Sequence, residues 1–260
     1  MEFLKQQRTL SENMPASTNS VLLFTANFLA DSTVAANLSS IAYSHNLQGW
    51  LDPTQTFLVR KCMQVYANKC RSPDKRLPIT PELLRQLVMS LVHNCKSHYH
   101  RVLLKAMYLL AFHTFLRVGE MTKMRHKTTN GLLDLTISKC KHHHGRNITI
   151  QVHANIRQYD FFAVSAMHAY TRINSLPHGH FVSFTDGSPV SRKIFTDNVR
   201  LSLFFTGCDT ALYKGHSFRI GAASYATTLG LSESQIQSMG RWRSRPMLIK
   251  YIFEYRHLPF

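Results

Sequence analysis

The sequence predicts a mainly α protein with one small β-sheet, divided into a small N-terminal helical domain and a larger C-terminal domain. Three observations carry this. Apolar residues recur at helical spacing through most of the chain, and the runs open at Pro, Ser, Thr or Asp start signals. Only one pair of segments, 132–140 and 147–154, alternates and is rich in β-formers. The basic, proline-bearing stretch "KCRSPDKRLPITP" (69–81) separates the two helical blocks. Pro73 and Pro78 disfavour helix at the residues before them, so this stretch is expected to be an exposed linker. The expected boundaries are a helical domain over 16–70, a basic linker over 71–79 and a second domain over 80–260.

In the first domain, "NSVLLFTANFLA" (19–30) repeats apolar residues at helical spacing. Thr33 is placed to cap a second helix through 34–47. Asp52-Pro53 reads as the start of a third through "TQTFLVRKCMQVYANK", and Gly49–Trp50 as a turn. In the second domain, Thr80-Pro81-Glu82 puts a cap, a first-turn proline and a first-turn acid before "ELLRQLVMSLVHNC". A helix over about 98–113 follows, and "FLRVGEMTKM" is expected to continue helically past a turn. The two β-rich runs, joined by "KHHHGR" with Gly145, predict a hairpin. "FFAVSAMHAYTRI" and 194–205 read as helices. Ser217–Leu229 has a helical pattern stopped by Gly230. Ser232 with Gln235 is a capping-box start for a helix that Gly240 ends, and Ser244 with Pro246 starts a last one.

The chain has 260 residues, 44% of them hydrophobic, enough for a packed core. The 31 Lys+Arg against 14 Asp+Glu give a formal charge of +17. That excess speaks of partners rather than fold, with nucleic acid first and an anionic membrane surface second. No apolar run reaches the roughly 18–20 residues of a membrane span. The first 20 residues show no signal-peptide pattern. Five cysteines (62, 70, 95, 140 and 208) form no CxxC pair, which fits reduced thiols in an intracellular protein rather than disulfides or zinc.

Four residues stand out near the C-terminus, in "KGHSFRIGAASYATTLGLSESQIQSMGRWRSRPMLIKYIFEY" (214–255). His216 and Arg219 are three apart on one helix face, near a helix N-terminus, a combination suited to phosphate. Trp242 follows Arg219 by 23 residues and Tyr251 follows Trp242 by 9. Each taken singly reads as a core residue or a chance spacing; their order and spacing together carry the functional reading.

That order resembles the active-site region of tyrosine recombinases, the phage-integrase family: HxxR, a Gly-(His/Arg)-Trp turn, then a nucleophilic Tyr. "FLRVGEM" resembles the family's earlier arginine motif and places Arg117 and Glu120 on it. "ISKCKHHHGRNITI" supplies candidates for the family's β-hairpin lysine, with Lys141 favoured and Lys139 the alternate. The "GHSFRIGAAS…GRW" wording is most similar to recombinases of eukaryotic mobile elements, of the Crypton or DIRS kind. The resemblance implies an N-terminal core-binding (SAM-like) domain and a catalytic domain of the DNA breaking-rejoining fold. It implies site-specific recombination of duplex DNA through a 3′-phosphotyrosyl intermediate. A C-shaped clamp on the duplex and a synaptic homo-tetramer, monomeric or weakly associated when free, come with it. The location implied is intracellular and DNA-associated, nuclear in a eukaryote, with no cofactor, no metal and no membrane partner. The site residues implied are Arg117, Glu120, Lys141, His216, Arg219, Trp242 and the nucleophile Tyr251. Only nine residues follow Tyr251, short for the extra C-terminal helix that many members dock onto a neighbouring subunit.

Chemically, arginines offer planar, permanently charged forks to phosphate oxygens, and His216 can donate to phosphate or accept the tyrosine proton. Glu120, one turn from Arg117, is expected to orient basic side chains. The histidines at 142–144 point in different directions on a loop and form no ligand set without distant partners. Arg60, Lys61, Arg71, Lys75, Arg76, Arg241 and Arg243 are expected to contact DNA, with steeply salt-dependent binding. Two other readings compete: a catalytically silent, domesticated DNA-binding protein, and a type IB topoisomerase with related Tyr/Arg/His chemistry.

Overall fold

A computed structural model describes residues 14–26, 31–69, 76–122, 124–129, 132–137, 147–153, 161–174, 181–245, 248–249 and 252. The chain divides into two compact units, Met1–Asp74 and Lys75–Phe260. Both are mainly helical, and a small antiparallel sheet lies in the second, so the predicted fold class holds.

The first unit packs helices α1 (Thr18–Ala26), α2 (Asp31–Leu47) and α3 (Phe57–Lys69) around Val21, Val34, Leu38, Ile41 and Val59. Buried His45 ties its ends together: Nε2 accepts from the Ala16 N–H at 3.0 Å and Nδ1 donates to the Leu51 carbonyl at 2.7 Å. Two start signals act differently from expectation. Helix α2 begins at Asp31, so Thr33 lies inside it; threonine costs only a few tenths of a kcal/mol in a first turn. Asp52 does cap, accepting from the Thr54 N–H at 2.9 Å, but the turn it caps is a 3₁₀ turn, Pro53–Gln55. Thr56 then takes extended backbone, and its hydroxyl bonds the Pro53 carbonyl, so α3 starts only at Phe57.

The second unit is built on α4 (Pro81–Asn94) and α5 (His98–His113). Thr80 caps α4 as expected, accepting from the Leu83 N–H at 3.1 Å, with Pro81 at the first position. Helix α5 is the core element: every residue from Leu103 to Phe112 except Lys105 is buried. Around it lie α6 (Val118–Met121), α7 (Ala163–Ile173), α8 (Arg192–Phe205), α9 (Ser217–Thr228) and α10 (Glu233–Gly240). Gly230, at φ +80°, stops the α9 segment as its position implied.

The sheet has three strands in the order β1 (Met124–Thr129), β2 (Leu132–Ile137), β3 (Ile148–His153), all antiparallel. The β2–β3 pair is the predicted hairpin; the connection carrying Lys139, Lys141 and the three histidines lies outside the described residues. Alternation on β2 buries Leu133, Leu135 and Ile137. Strand β1 corrects the expectation of a continued helix through "FLRVGEMTKM". Its sequence, MRHKTT, has one apolar residue in six, so periodicity is silent there. Pairing with β2 decides it: Met124 stands opposite Ile137, and the helix is cut to one turn.

The exposed-linker expectation fails at its C-terminal end. Pro78 and Ile79 are buried, and Leu77 and Ile79 donate to the Leu212 and Ser217 carbonyls at 2.9 and 3.0 Å. Ile79 lies under α9 at Gly221, where an added Cβ would stand 1.8 Å from the Ile79 carbonyl oxygen. Backbone cannot yield as a flexible side chain can. Gly221→Ala is expected to cost about 3 kcal/mol, the upper end for overpacking. Thermal unfolding should show the midpoint falling by roughly 6–12 °C; an unchanged midpoint would remove the close contact.

Candidate active site

Helix α5 ends at His113, and the chain reverses through Phe115, which holds φ at +52°. A bulky residue in the left-handed region needs support from its surroundings. The support is cationic. Arg219 Nη1 and Arg241 Nη2 both donate to the Phe115 carbonyl, the latter at 3.2 Å. Arg219 Nη2 donates to the Gly240 carbonyl at 2.7 Å. The two arginines therefore meet the carbonyl-rich C-terminal ends of α5 and α10, where helix dipoles favour positive charge.

Trp242 closes the underside of this node. It is 5% exposed, its ring lies 4.4 Å from the Arg219 guanidinium carbon, and Phe115 meets it edge-on at 5.9 Å. Gly240 makes room: an added Cβ would lie 1.6 Å from the indole. The helix ends at Gly240 as expected, and the residue after it, Arg241, takes the left-handed conformation at φ +54°.

Glu120 supplies the countercharge. It is 4% exposed; Oε1 accepts from Arg117 Nη1 at 2.7 Å, and Oε2 from the Arg117 backbone N–H at 2.9 Å and Arg241 Nη2 at 3.1 Å. Burial works to raise its pKa, but the Arg241 charge and the Arg117 hydrogen bonds outweigh it and hold the carboxyl below its ordinary range. Glu120 thus bonds two basic side chains, Arg117 and Arg241.

A cavity of about 280 Å³ opens here, lined by Arg117, Val118, Gly119, Glu120, Arg192, Gly215, His216 and Arg219. Arg117, expected from one motif, thus meets His216 and Arg219 from the other, a hundred residues on. Three arginines and a histidine face one carboxylate, a lining made for an anion. His216 is the residue before the first turn of α9, as its spacing implied. Arg192 went unnoticed in the sequence. Its signal was the Ser191 cap, which accepts from the Ile194 N–H at 3.2 Å and puts Arg192 first in α8.

Other expected residues fall in three groups. Arg60, Lys61 and Arg243 are exposed and Arg76 half-buried. Arg241, expected on DNA, is instead turned inward, its side chain 10% exposed and bonded to Glu120, Phe115 and Thr114; the reversal after α5 needs its charge. Arg71, Lys75, Lys139, Lys141 and Tyr251 lie outside the described residues. Arg245, Leu248, Ile249 and Ile252 have helical backbone, as the last helix required, and Leu248 and Ile252, which flank Tyr251, are buried.

No family model matches the chain, and no curated protein matches it. Solved structures do. A lambda integrase dimer bound to a COC' core site superposes with a TM-score of 0.64 at 15% identity, covering 100% of this chain and 72% of that one. This is the tyrosine recombinase fold. A Tn1549 transposon integrase in complex with circular intermediate DNA gives 0.65 at 11% identity, covering 98% of this chain and 88% of that one. XerH site-specific recombinase bound to difH substrate gives 0.53 at 13% identity, covering 83% of this chain. This chain spans 66% of the XerH chain, just under two thirds.

A carboxylate whose folded pKa is depressed stabilises the protein above its unfolded pKa, and that contribution is lost as pH falls through the folded value. Acid titration of stability should therefore show the Glu120 contribution intact at pH 6 and vanishing below about pH 4. Glu120→Gln should be less stable than wild type at pH 7, with the difference shrinking in acid; a difference constant with pH would contradict the charge pairing.

Proposed function

We propose that this chain is a site-specific DNA recombinase that cuts and rejoins duplex DNA through a 3′-phosphotyrosyl intermediate. The observation that carries the reading is the meeting of Arg117, Glu120, His216 and Arg219 in one basic cavity on a tyrosine recombinase fold, with Trp242 packed beneath. The DNA named with the similar structures, and the strong positive charge of this chain, support DNA as the substrate.

In the reaction the Tyr251 hydroxyl oxygen bonds the scissile phosphorus and the 5′-oxygen leaves. The tyrosine proton passes to a base, for which His216 is suited, and a hairpin lysine, Lys141 or Lys139, protonates the leaving oxygen. Attack by a 5′-hydroxyl of a partner strand reverses the step. The phosphodiester energy is conserved in the covalent bond, so ATP is not consumed. Negative charge gathers on the non-bridging oxygens, where Arg117 and Arg192 offer guanidinium groups. Arg219 plays a double part: it lends charge to the cavity while its terminal nitrogens hold the Phe115 and Gly240 carbonyls. The fixed charge replaces any need for a metal at the phosphate. A clamp formed by the helical domain (16–70), the linker (71–79) and the catalytic domain (80–260), and a tetramer on paired sites inside the cell, complete the proposal.

A nicked suicide duplex bearing the recombination site should trap a covalent complex with wild type and none with Tyr251→Phe. Tight binding by wild type without any covalent product would favour the silent DNA-binding protein. Relaxation of any supercoiled plasmid without site preference would favour a topoisomerase. Arg192→Gln should slow covalent-complex formation roughly 10- to 100-fold with the thermal midpoint unchanged; an unaltered rate would remove Arg192 from the phosphate site. Arg219→Lys should lose both cleavage and stability, by about 2–4 kcal/mol for two charged hydrogen bonds.

A further inference from the structure

A second basic cavity lies away from the arginine–histidine site, between α5 and α7. Its volume is about 320 Å³, and it is lined by Val102, Lys105, Ser165, Ala166, His168, Ala169 and Arg172. On α7 the lining residues 165, 168, 169 and 172 form one helical stripe; on α5, 102 and 105 do the same. Small side chains at 165, 166 and 169 keep the helices from filling the space, although α5 and α7 are close-packed neighbours along their length.

The chemistry of the lining is one-sided. Neither helix carries an aspartate or glutamate in its whole length, and the lining holds no carboxylate among the described residues. Lys105 and Arg172 bring fixed positive charge and His168 an imidazole N–H. Lys105 Nζ stands 5.7 Å from the centre of the Phe161 ring, which Arg85 also covers at 4.5 Å. Among the described residues, no ion pair engages Lys105, His168 or Arg172. This contrasts with the first site, where Glu120 balances two arginines. Like charges gathered around a concave space repel one another, and an anion relieves that repulsion. The volume lies at the low end for ligand sites, suited to a phosphate with its attached sugar.

We propose that the α5–α7 cleft is a second phosphate-binding site, held by Lys105, His168 and Arg172, that takes a sugar-phosphate group. The phosphate comes either from the backbone of bound DNA or from a free phosphate compound. The site holds whether or not Tyr251 cuts DNA, because its charge does not involve the first cavity.

Two measurements on the full chain separate the sources. One is the affinity for a duplex as a function of salt; the other is titration with inorganic pyrophosphate, read by backbone amide shifts in α5 and α7. The variants are Lys105→Gln/Arg172→Gln and, independently, Ala169→Glu, which places a carboxylate at an exposed lining position. If DNA backbone occupies the cleft, the double variant should flatten the log affinity against log salt slope by roughly 1–2 units. Ala169→Glu should weaken duplex binding at least about fivefold at low salt. If a free phosphate compound occupies it, the salt slope should stay as in wild type while pyrophosphate shifts in α5 and α7 disappear in both variants. An unchanged slope together with wild-type pyrophosphate shifts in both variants overturns the site, and so does the absence of α5–α7 shifts in wild type with no change of slope. A covalent-complex assay run alongside at saturating duplex removes the effect of weakened binding and reports on the first cavity, so failure of either site is seen separately.

Discussion

The arrangement at the first site depends on one buried guanidinium. Arg219 is 1% exposed, and its two terminal nitrogens join the Phe115 and Gly240 carbonyls while its plane lies near Trp242. Burying a charge of this kind is costly unless hydrogen bonds offset the lost water. Here the partners are the exhausted carbonyl ends of two helices, which would themselves lack donors. Each group solves the other's problem. The left-handed Phe115, the short α6 carrying Glu120 and the turn after α10 are thereby set at fixed distances from one another.

The second organising term is the balance of charge. Glu120 is shared between Arg117 and Arg241, so one carboxylate orders two arginines of different origin, one predicted as a phosphate ligand and one as a DNA contact. Its own ionisation is secured by those charges against the effect of burial. What remains facing the cavity is positive, so in the proposed reaction a phosphate would enter a site whose internal repulsion has already been partly relieved. Preorganisation of that kind spares the reorganisation that water would need at the moment of reaction.

Much of this was legible in the sequence because it depends on local rules. The Thr80 and Ser232 caps, the Pro81 start, the β2–β3 hairpin and the register of His216 with Arg219 are all set by neighbours within a few residues. The motifs also located the arginine–histidine cavity, since spacing along α9 and the Arg117–Glu120 turn survive folding unchanged. What escaped was decided at long range. Strand β1 has no periodic signal and exists through its pairing with β2. Arg241 looked like surface charge until the reversal at Phe115 turned it inward. Arg192 had a local start signal in the Ser191 cap, but only folding brings the start of α8 to the cavity that Arg117 and His216 line. The linker's last residues looked exposed by composition, yet hydrogen bonds lay Leu77 against the turn at Leu212 and Ile79 against the start of α9.

Gly221 and Gly240 carry a consequence for how such a protein can change over time. Neither touches a substrate in the proposed reaction, yet each sits where a single added carbon collides with backbone or with the indole. In a library of variants selected only for function, both positions would come back unmutated, indistinguishable from the arginines and the tyrosine. A tolerance map would then outline two different things at once: the groups proposed to handle phosphate, and the gaps that let those groups stand where they do.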